Sequence, residues 1–255
     1  MPALSPAFLG VPLAHRALHD VAQGRPENSR AAIHAAIEAG YGVEIDLQLS
    51  ADGQAMVFHD YALNRLADDT GPIRAKTEAQ LRRTNLTGGS EGIPTLSEVL
   101  DLVDGRAALL IEIKDQDGAM GPNVGRLEEA AARALEGYDG PAAFMSFNPH
   151  ATAAMVDMSP DTPRGIVTSA FALKDWFLLP SRTRDHLRTI PDFDRVQADF
   201  ISHEVADLPR PRVAELKARG VPILCWTVRS PEQEIEARKV ADNVTFEGYL
   251  SQRPG

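Results

Sequence analysis

Glu44 and Asp46 stand two residues apart in the run Gly42-Val43-Glu44-Ile45-Asp46-Leu47-Gln48-Leu49. Side chains of an extended segment alternate faces, so Glu44, Asp46 and Gln48 share one side while Val43, Ile45, Leu47 and Leu49 share the other. Ala107–Lys114 repeats the pattern, with Leu109, Ile111 and Ile113 on one face and Leu110, Glu112 and Lys114 on the other. A buried ion-pair network, or the wet face of an antiparallel sheet, is one explanation. If the polar faces meet in an interior, each acid costs several kcal/mol unless compensated. Lys114 offsets one of them, and a divalent cation offsets the rest. All-oxygen donors suit magnesium, calcium or manganese better than zinc.

Two histidines end apolar segments: His15 in Ala14-His15-Arg16, and His59 in Val57-Phe58-His59-Asp60 after a turn at Asp52-Gly53. Imidazole titrates near neutrality, so this pair beside an arginine reads as an acid and a base around an anion. The remaining histidines, His19, His34, His150, His186 and His203, read as surface residues, except that His203 ends a strand and lacks an evident partner. Cys225 lies in the apolar run Val221-Pro222-Ile223-Leu224-Cys225-Trp226 and reads as a buried structural thiol rather than a nucleophile.

These groups need elements to aim them. Short apolar segments at Leu13–Arg16, Gly42–Ser50, Ala107–Lys114, Ala142–Phe147, Gly165–Ser169, Asp199–His203, Val221–Val228 and Asn243–Tyr249 predict strands. Helix signals lie between them. Pro26-Glu27-Asn28-Ser29 opens a run that closes at Gly40, and Thr95-Leu96-Ser97-Glu98 has capping-box spacing. Asn148-Pro149 and Ser230-Pro231 set a capping side chain before a first-turn proline, and Gly220 stops the run Val213–Arg219. Alternation of this kind predicts a parallel sheet closed into a (β/α)8 TIM barrel, one domain over residues 1–255, with its active site at the strand ends. In a barrel the acidic faces of the second and third main strands point toward the axis.

The composition fits. A chain of 255 residues that is 44% hydrophobic can bury a sizeable core. A formal net charge of -10, with no basic block, predicts neither a nucleic-acid partner nor stable membrane association, but leaves room for a small anionic substrate held by local cations. Met1 to Leu13 does not read as a signal peptide and no apolar run is long enough to span a bilayer, so a cytoplasmic protein is expected. Oligomeric state leaves no mark in the sequence.

Taken together, His15-Arg16, Pro26-Glu27-Asn28-Ser29, Glu44-x-Asp46, His59-Asp60 and Glu112-x-Lys114 resemble the glycerophosphodiester phosphodiesterase family. Ser146-Phe147 and Trp226-Thr227-Val228 look like that family's fourth and seventh strands, and the likeness is densest from Leu13 to Lys114. The resemblance implies a metal-dependent barrel that hydrolyses diesters such as glycerophosphocholine or glycerophosphoethanolamine to glycerol 3-phosphate and an alcohol. Carried over by motif, Glu44, Asp46 and Glu112 would hold magnesium, calcium or manganese, and His15 and His59 would be the acid–base pair. Arg16 and Lys114 would hold the phosphate, and Trp226 would wall the glycerol side. Three positions depart from the pattern. Ala17 replaces a glycine, which predicts a loop that runs differently. Ser29 replaces a threonine and keeps the hydroxyl. Thr245-Phe246-Glu247-Gly248-Tyr249 replaces Thr-Asp before a proline, which predicts an altered contribution from the last strand.

Other readings compete. A lyase or aldolase would use Lys114 as base or Schiff-base former, and a non-catalytic binding barrel would need no chemistry at all. The apolar stretch Ser169–Pro180 reads as a helix packed on the barrel, or alternatively as a lid that grips a lipid chain and favours lysophospholipase D-type activity.

Overall fold

Each predicted strand forms. In the computed structural model, which describes residues 3–253, the strands are β1 (Leu13–Ala14), β2 (Gly42–Leu49), β3 (Ala55–Val57), β4 (Leu109–Ile113), β5 (Ala142–Ser146), β6 (Arg164–Thr168), β7 (Phe200–Glu204), β8 (Ile223–Val228) and β9 (Asn243–Phe246). Met1, Pro2, Pro254 and Gly255, the ends of the one-domain span and part of the N-terminal stretch read above, lie outside the described residues. All strands except β3 run parallel in the order β1-β9-β8-β7-β6-β5-β4-β2, and β1 also pairs with β2, which closes the barrel. β3 is an antiparallel return that pairs Val57 with Leu47 and Met56 with Gln48.

Helices fill the crossovers, and the start signals act as read. Ser29 caps Arg30–Glu38 by accepting the Ala32 N–H at 3.1 Å. Thr95 and Glu98 form the capping box of Leu96–Val103. Asn148 and Ser230 cap Pro149–Met158 and Pro231–Ala237, and Gly220 takes φ 81° just beyond Pro211–Ala218. The outward strand faces, including Val43, Ile45, Leu47, Leu109, Ile111 and Ile113, pack with Ile33, Val99 and Leu127 of these helices. Inside, Leu13, Leu110, Ala143, Val167, Phe200 and Leu224 fill the barrel. Gly165 on β6 makes room for one of them, since a Cβ there would lie 2.3 Å from the Phe200 ring.

The ends of the barrel are treated differently. At the N-terminal end, the short helix Ala7–Gly10 inserts Phe8, which is fully buried in the inner core. Asn243 of β9 pins that helix by donating to the carbonyls of Phe8 at 2.7 Å and Val11 at 2.6 Å. The opposite end is open. After β3 the chain builds a small separate core from Phe58, Leu63, Ile73, Leu81, Leu86 and Ile93. Just before this excursion the β2–β3 pairing runs on one residue, Phe58 N–H donating to the Asp46 carbonyl at 2.9 Å, which brings His59 level with the acids.

Two expectations need correction. Ser169–Pro180 forms turns rather than a helix; Phe171 and Leu179 tuck into a small core, while Leu173, Phe177 and Leu178 are 59%, 70% and 81% exposed. His203 does have partners: its Nδ1 lies 2.7 Å from the Thr168 hydroxyl and its Nε2 3.1 Å from the Asp207 carbonyl. Among the described residues, no helix is long and apolar enough to cross a membrane.

Candidate active site

The parallel register places Asp46 on β2 beside Glu112 on β4, with Glu44 one inward position below. All three are buried, and one oxygen from each can be chosen so that the three lie within 4.8 Å of one another. Lys114 Nζ bridges two of them, 2.7 Å from Asp46 and 2.6 Å from Glu112. Burial works against its charge, yet the two carboxylates more than compensate and hold its pKa above the ordinary lysine range. Asp46 is likewise buried, but Lys114, His59 and Arg16 keep its carboxyl well below the usual range. Glu44 goes the other way: burial, reinforced by the charges of Asp46 and Glu112, pushes its pKa well up. One lysine is too little charge for three acids, because Arg16 is shared with Glu27 at 2.9 Å. A hard divalent ion fits this donor set, since it supplies the charge whose shortage shows at Glu44.

Around the acids stand Arg16, His15 and His59. Arg16 sits on the β1 loop, its N–H donating to Glu44 at 2.8 Å, its Nε 3.6 Å from Asp46 and buried without a hydrogen-bond acceptor. His15 Nδ1 lies 2.5 Å from Glu247, and His59 Nδ1 lies 2.6 Å from Asp60. With each Nδ1 held by a carboxylate, Nε2 is the nitrogen left for chemistry, as in any carboxylate-oriented imidazole. Burial lowers the pKa of His15, against the opposing pull of Glu247. His15, Arg16, Glu44, His59, Glu112 and Lys114 border one small chamber of about 60 Å³, roofed by Trp226 and Phe147.

Residues 15–249 match the glycerophosphoryl diester phosphodiesterase family. The chain belongs to this family. A glycerophosphodiester phosphodiesterase from Bacillus altitudinis is 36% identical over 96 residues, 35% of this chain and 39% of that one. One from Caldanaerobacter subterraneus is 28% identical over 163 residues, 60% of this chain and 65% of that protein. The chain therefore matches less than two thirds of either relative. Solved structures are covered more fully. A phosphodiesterase from Oleispira antarctica, in complex with the product sn-glycerol-3-phosphate, shares 25% identity over 94% of each chain with a TM-score of 0.75. The fold of a Thermotoga maritima glycerophosphodiester phosphodiesterase, 24% identical, superposes over 92% of this chain and 94% of that one with a TM-score of 0.68.

Departures from the family pattern can now be placed. Ala17 takes φ 67° and Arg16 φ 52°, so the loop makes a left-handed turn without a glycine. Two acceptors hold the Ala17 N–H, the carbonyls of Ala14 at 3.1 Å and Glu44 at 3.0 Å. Glu247 restores a carboxylate at the end of the last strand, where it grips His15 and also lies 3.7 Å from His19. His19 is thus partly buried rather than a plain surface residue: its side chain keeps 25% exposure while its Nε2 is covered. Sequence reasoning treated Asn28 as part of a helix start and missed its reach: Asn28 Nδ2 donates to Asp46 at 2.9 Å. Asp60 and Glu27 were missed as well, and Arg65 joins them. Trp226 lines the chamber, its indole N–H donating to the Ser202 carbonyl at 3.0 Å.

Proposed function

We propose that the chain is a metal-dependent phosphodiesterase, a single cytoplasmic domain over residues 1–255 that cleaves glycerophosphodiesters to glycerol 3-phosphate and an alcohol. The observation that carries this reading is the meeting of Glu44, Asp46 and Glu112 within 4.8 Å beside a chamber shared with His15 and His59. Those three carboxylates would hold magnesium or calcium, with manganese as a third option, and the ion when bound offsets charge developing on the phosphoryl oxygens. Arg16, whose buried Nε–H has no hydrogen-bond acceptor, would meet a phosphate oxygen, and Lys114, held between Asp46 and Glu112, lends positive charge to the same anion. Trp226 walls the glycerol side.

His15 suits proton acceptance. It is buried with its pKa held down, so it is neutral at pH 7, and a Nδ1–H donated to Glu247 leaves the Nε2 lone pair free. It takes the proton from the attacking hydroxyl, whether of water or of the diester's own glycerol. His59, steadied by Asp60, gives a proton from Nε2 to the departing alcohol oxygen. A glycerophosphocholine assay with magnesium or calcium tests the reading: steady release of glycerol phosphate supports it, and none with either ion contradicts it.

Lys114 speaks against the lyase and aldolase alternatives, because an ammonium locked between two carboxylates is a poor nucleophile. A second substrate reading has support. Leu173, Phe177 and Leu178 are exposed near the cleft, as a lipid-gripping lip would be. Turnover of lysophosphatidylcholine at or above that of glycerophosphocholine would favour it.

A further inference from the structure

Asp46, Arg16, Glu27, Arg65 and Asp60 form a row of alternating charge that ends at His59. Arg16 Nε lies 3.6 Å from Asp46, and its Nη1 donates to Glu27 at 2.9 Å. At the other end Asp60 holds His59 Nδ1 at 2.6 Å. Arg65 joins the two halves. Its Nε and Nη2 donate to the two Asp60 oxygens at 2.7 and 2.6 Å, and its Nη1 and Nη2 to the two Glu27 oxygens at 3.1 and 3.2 Å.

The bridge ties two separate stretches of chain. Arg16 and Glu27 follow β1, whereas Asp60 and Arg65 follow β3, where the turn Leu63–Arg65 is anchored by fully buried Leu63. A guanidinium carries five N–H groups in a fixed plane and can fork onto two carboxylates at once, which an ammonium cannot do. Four of those groups are spent here, so Arg65 has little left for a substrate although it borders the outer cleft. Nor does the fold depend on it. The Arg65 side chain is 50% exposed, and ion pairs at such exposure contribute about 0–1 kcal/mol. What the forks fix is direction. Asp60 Oδ1 meets both His59 Nδ1 and Arg65 Nη2, so the carboxylate that orients the imidazole cannot turn without breaking the fork. Burial works against the Asp60 charge, yet Arg65 and His59 hold its pKa below the usual carboxylate range, and it stays an acceptor.

We infer that Arg65 is a positioning residue for proton delivery. Clamped to Glu27, it fixes Asp60, and Asp60 aims the His59 Nε2 whose proton passes to the alcohol oxygen as the bond from that oxygen to phosphorus breaks. The inference rests on the phosphodiesterase reading and deepens its acid step: Arg65 matters where the leaving oxygen needs a proton.

The test compares two esters of glycerol phosphate, one with choline and one with p-nitrophenol. Choline departs as a strongly basic alkoxide unless an acid protonates it, whereas p-nitrophenolate leaves without a proton. Each kcat/KM is measured for the wild type, Arg65→Gln and Arg65→Lys, and each variant is compared with the wild type on the same ester. Arg65→Gln should lose about 10-fold on the choline ester, the lower end of what an outer hydrogen-bond partner is worth, and less than about 2-fold on the p-nitrophenyl ester. Arg65→Lys keeps the charge without the forks and should fall between the two. Equal changes on both esters, or none on either, overturn the inference, since a merely structural role cannot tell the leaving groups apart. Should the wild type cleave neither ester, the phosphodiesterase reading fails instead, and proton NMR decides the clamp. The downfield Nδ1–H resonance of His59, identified by its loss in His59→Gln, should shift or broaden in Arg65→Gln. A wild type without that resonance, or a resonance unchanged in Arg65→Gln, overturns the clamp.

Discussion

His15 and His59 each owe their usefulness to a neighbour the sequence did not pair with them. Replacing either histidine by alanine should lower kcat about 10²- to 10⁴-fold, the usual worth of a positioned acid or base; near-parental rates in both would rule out the assignment. Glu247 acts through His15. Its hydrogen bond and charge raise the imidazole pKa against burial, so Glu247→Gln lets that pKa fall further. The acidic limb of kcat/KM should then move to lower pH, while kcat drops about 10- to 100-fold as the imidazole loses its orientation. A pH–rate series checks both, and an acidic limb moved upward contradicts the pairing. The His15–Glu247 link was illegible because it joins residues 232 apart across the barrel closure. Asn28 was hidden for another reason: its motif already explained it as part of a helix start. Ala17 sits in a left-handed turn. Its left-handed φ costs about 1–2 kcal/mol, which the two carbonyls holding its N–H help to offset. Ala17→Gly relieves that strain but adds about 0.5–1 kcal/mol of unfolded-chain entropy, so chemical denaturation should show a net gain of about 0.5–1 kcal/mol.

Strands were the most legible elements, because parallel barrel strands buried on both faces are rich in apolar residues, and the two that alternate them with carboxylates, β2 and β4, bear the acidic cluster. Caps and stops were legible too, since they rest on local hydrogen bonds at Ser29, Thr95, Asn148 and Ser230. The Ser169–Pro180 stretch was not, because its apolar residues divide between a small core and solvent without any helical period. The plug at the barrel floor separates stability from catalysis. Phe8→Ala should cost about 3–5 kcal/mol in unfolding free energy, with kcat retained at temperatures where the variant stays folded. A large loss of kcat in folded protein would mean the floor and the site are coupled. His203 gives the elements a pH signature. Burial lowers its pKa from 6.5, so the native state takes up this proton only at lower pH than the unfolded chain does. Its contribution is complete above 6.5 and drains away as pH falls below that value. His203→Gln should therefore flatten the decline in Tm between about pH 7 and pH 5, and an unchanged slope would assign the decline elsewhere.

At the scale of the whole molecule, a net charge of -10 coexists with the anionic substrate proposed for the site. The fold reconciles them by confining Arg16 and Lys114 to one chamber at the open barrel end, among acids that call for further positive charge. A divalent ion held there should stabilise the native state by about 2.7 kcal/mol at a hundredfold excess over its Kd. Its affinity should rise with pH, because the raised pKa of Glu44 makes proton and metal compete. The most direct measurement is glycerophosphocholine turnover by chelator-treated protein titrated with magnesium or calcium, run beside Glu44→Gln and Glu112→Gln. We expect activity to vanish on chelation, to return with the ion in the wild type, and to stay at least tenfold lower in both variants. Full turnover in excess chelator, or full rescue of both variants, would contradict a metal held by Glu44, Asp46 and Glu112.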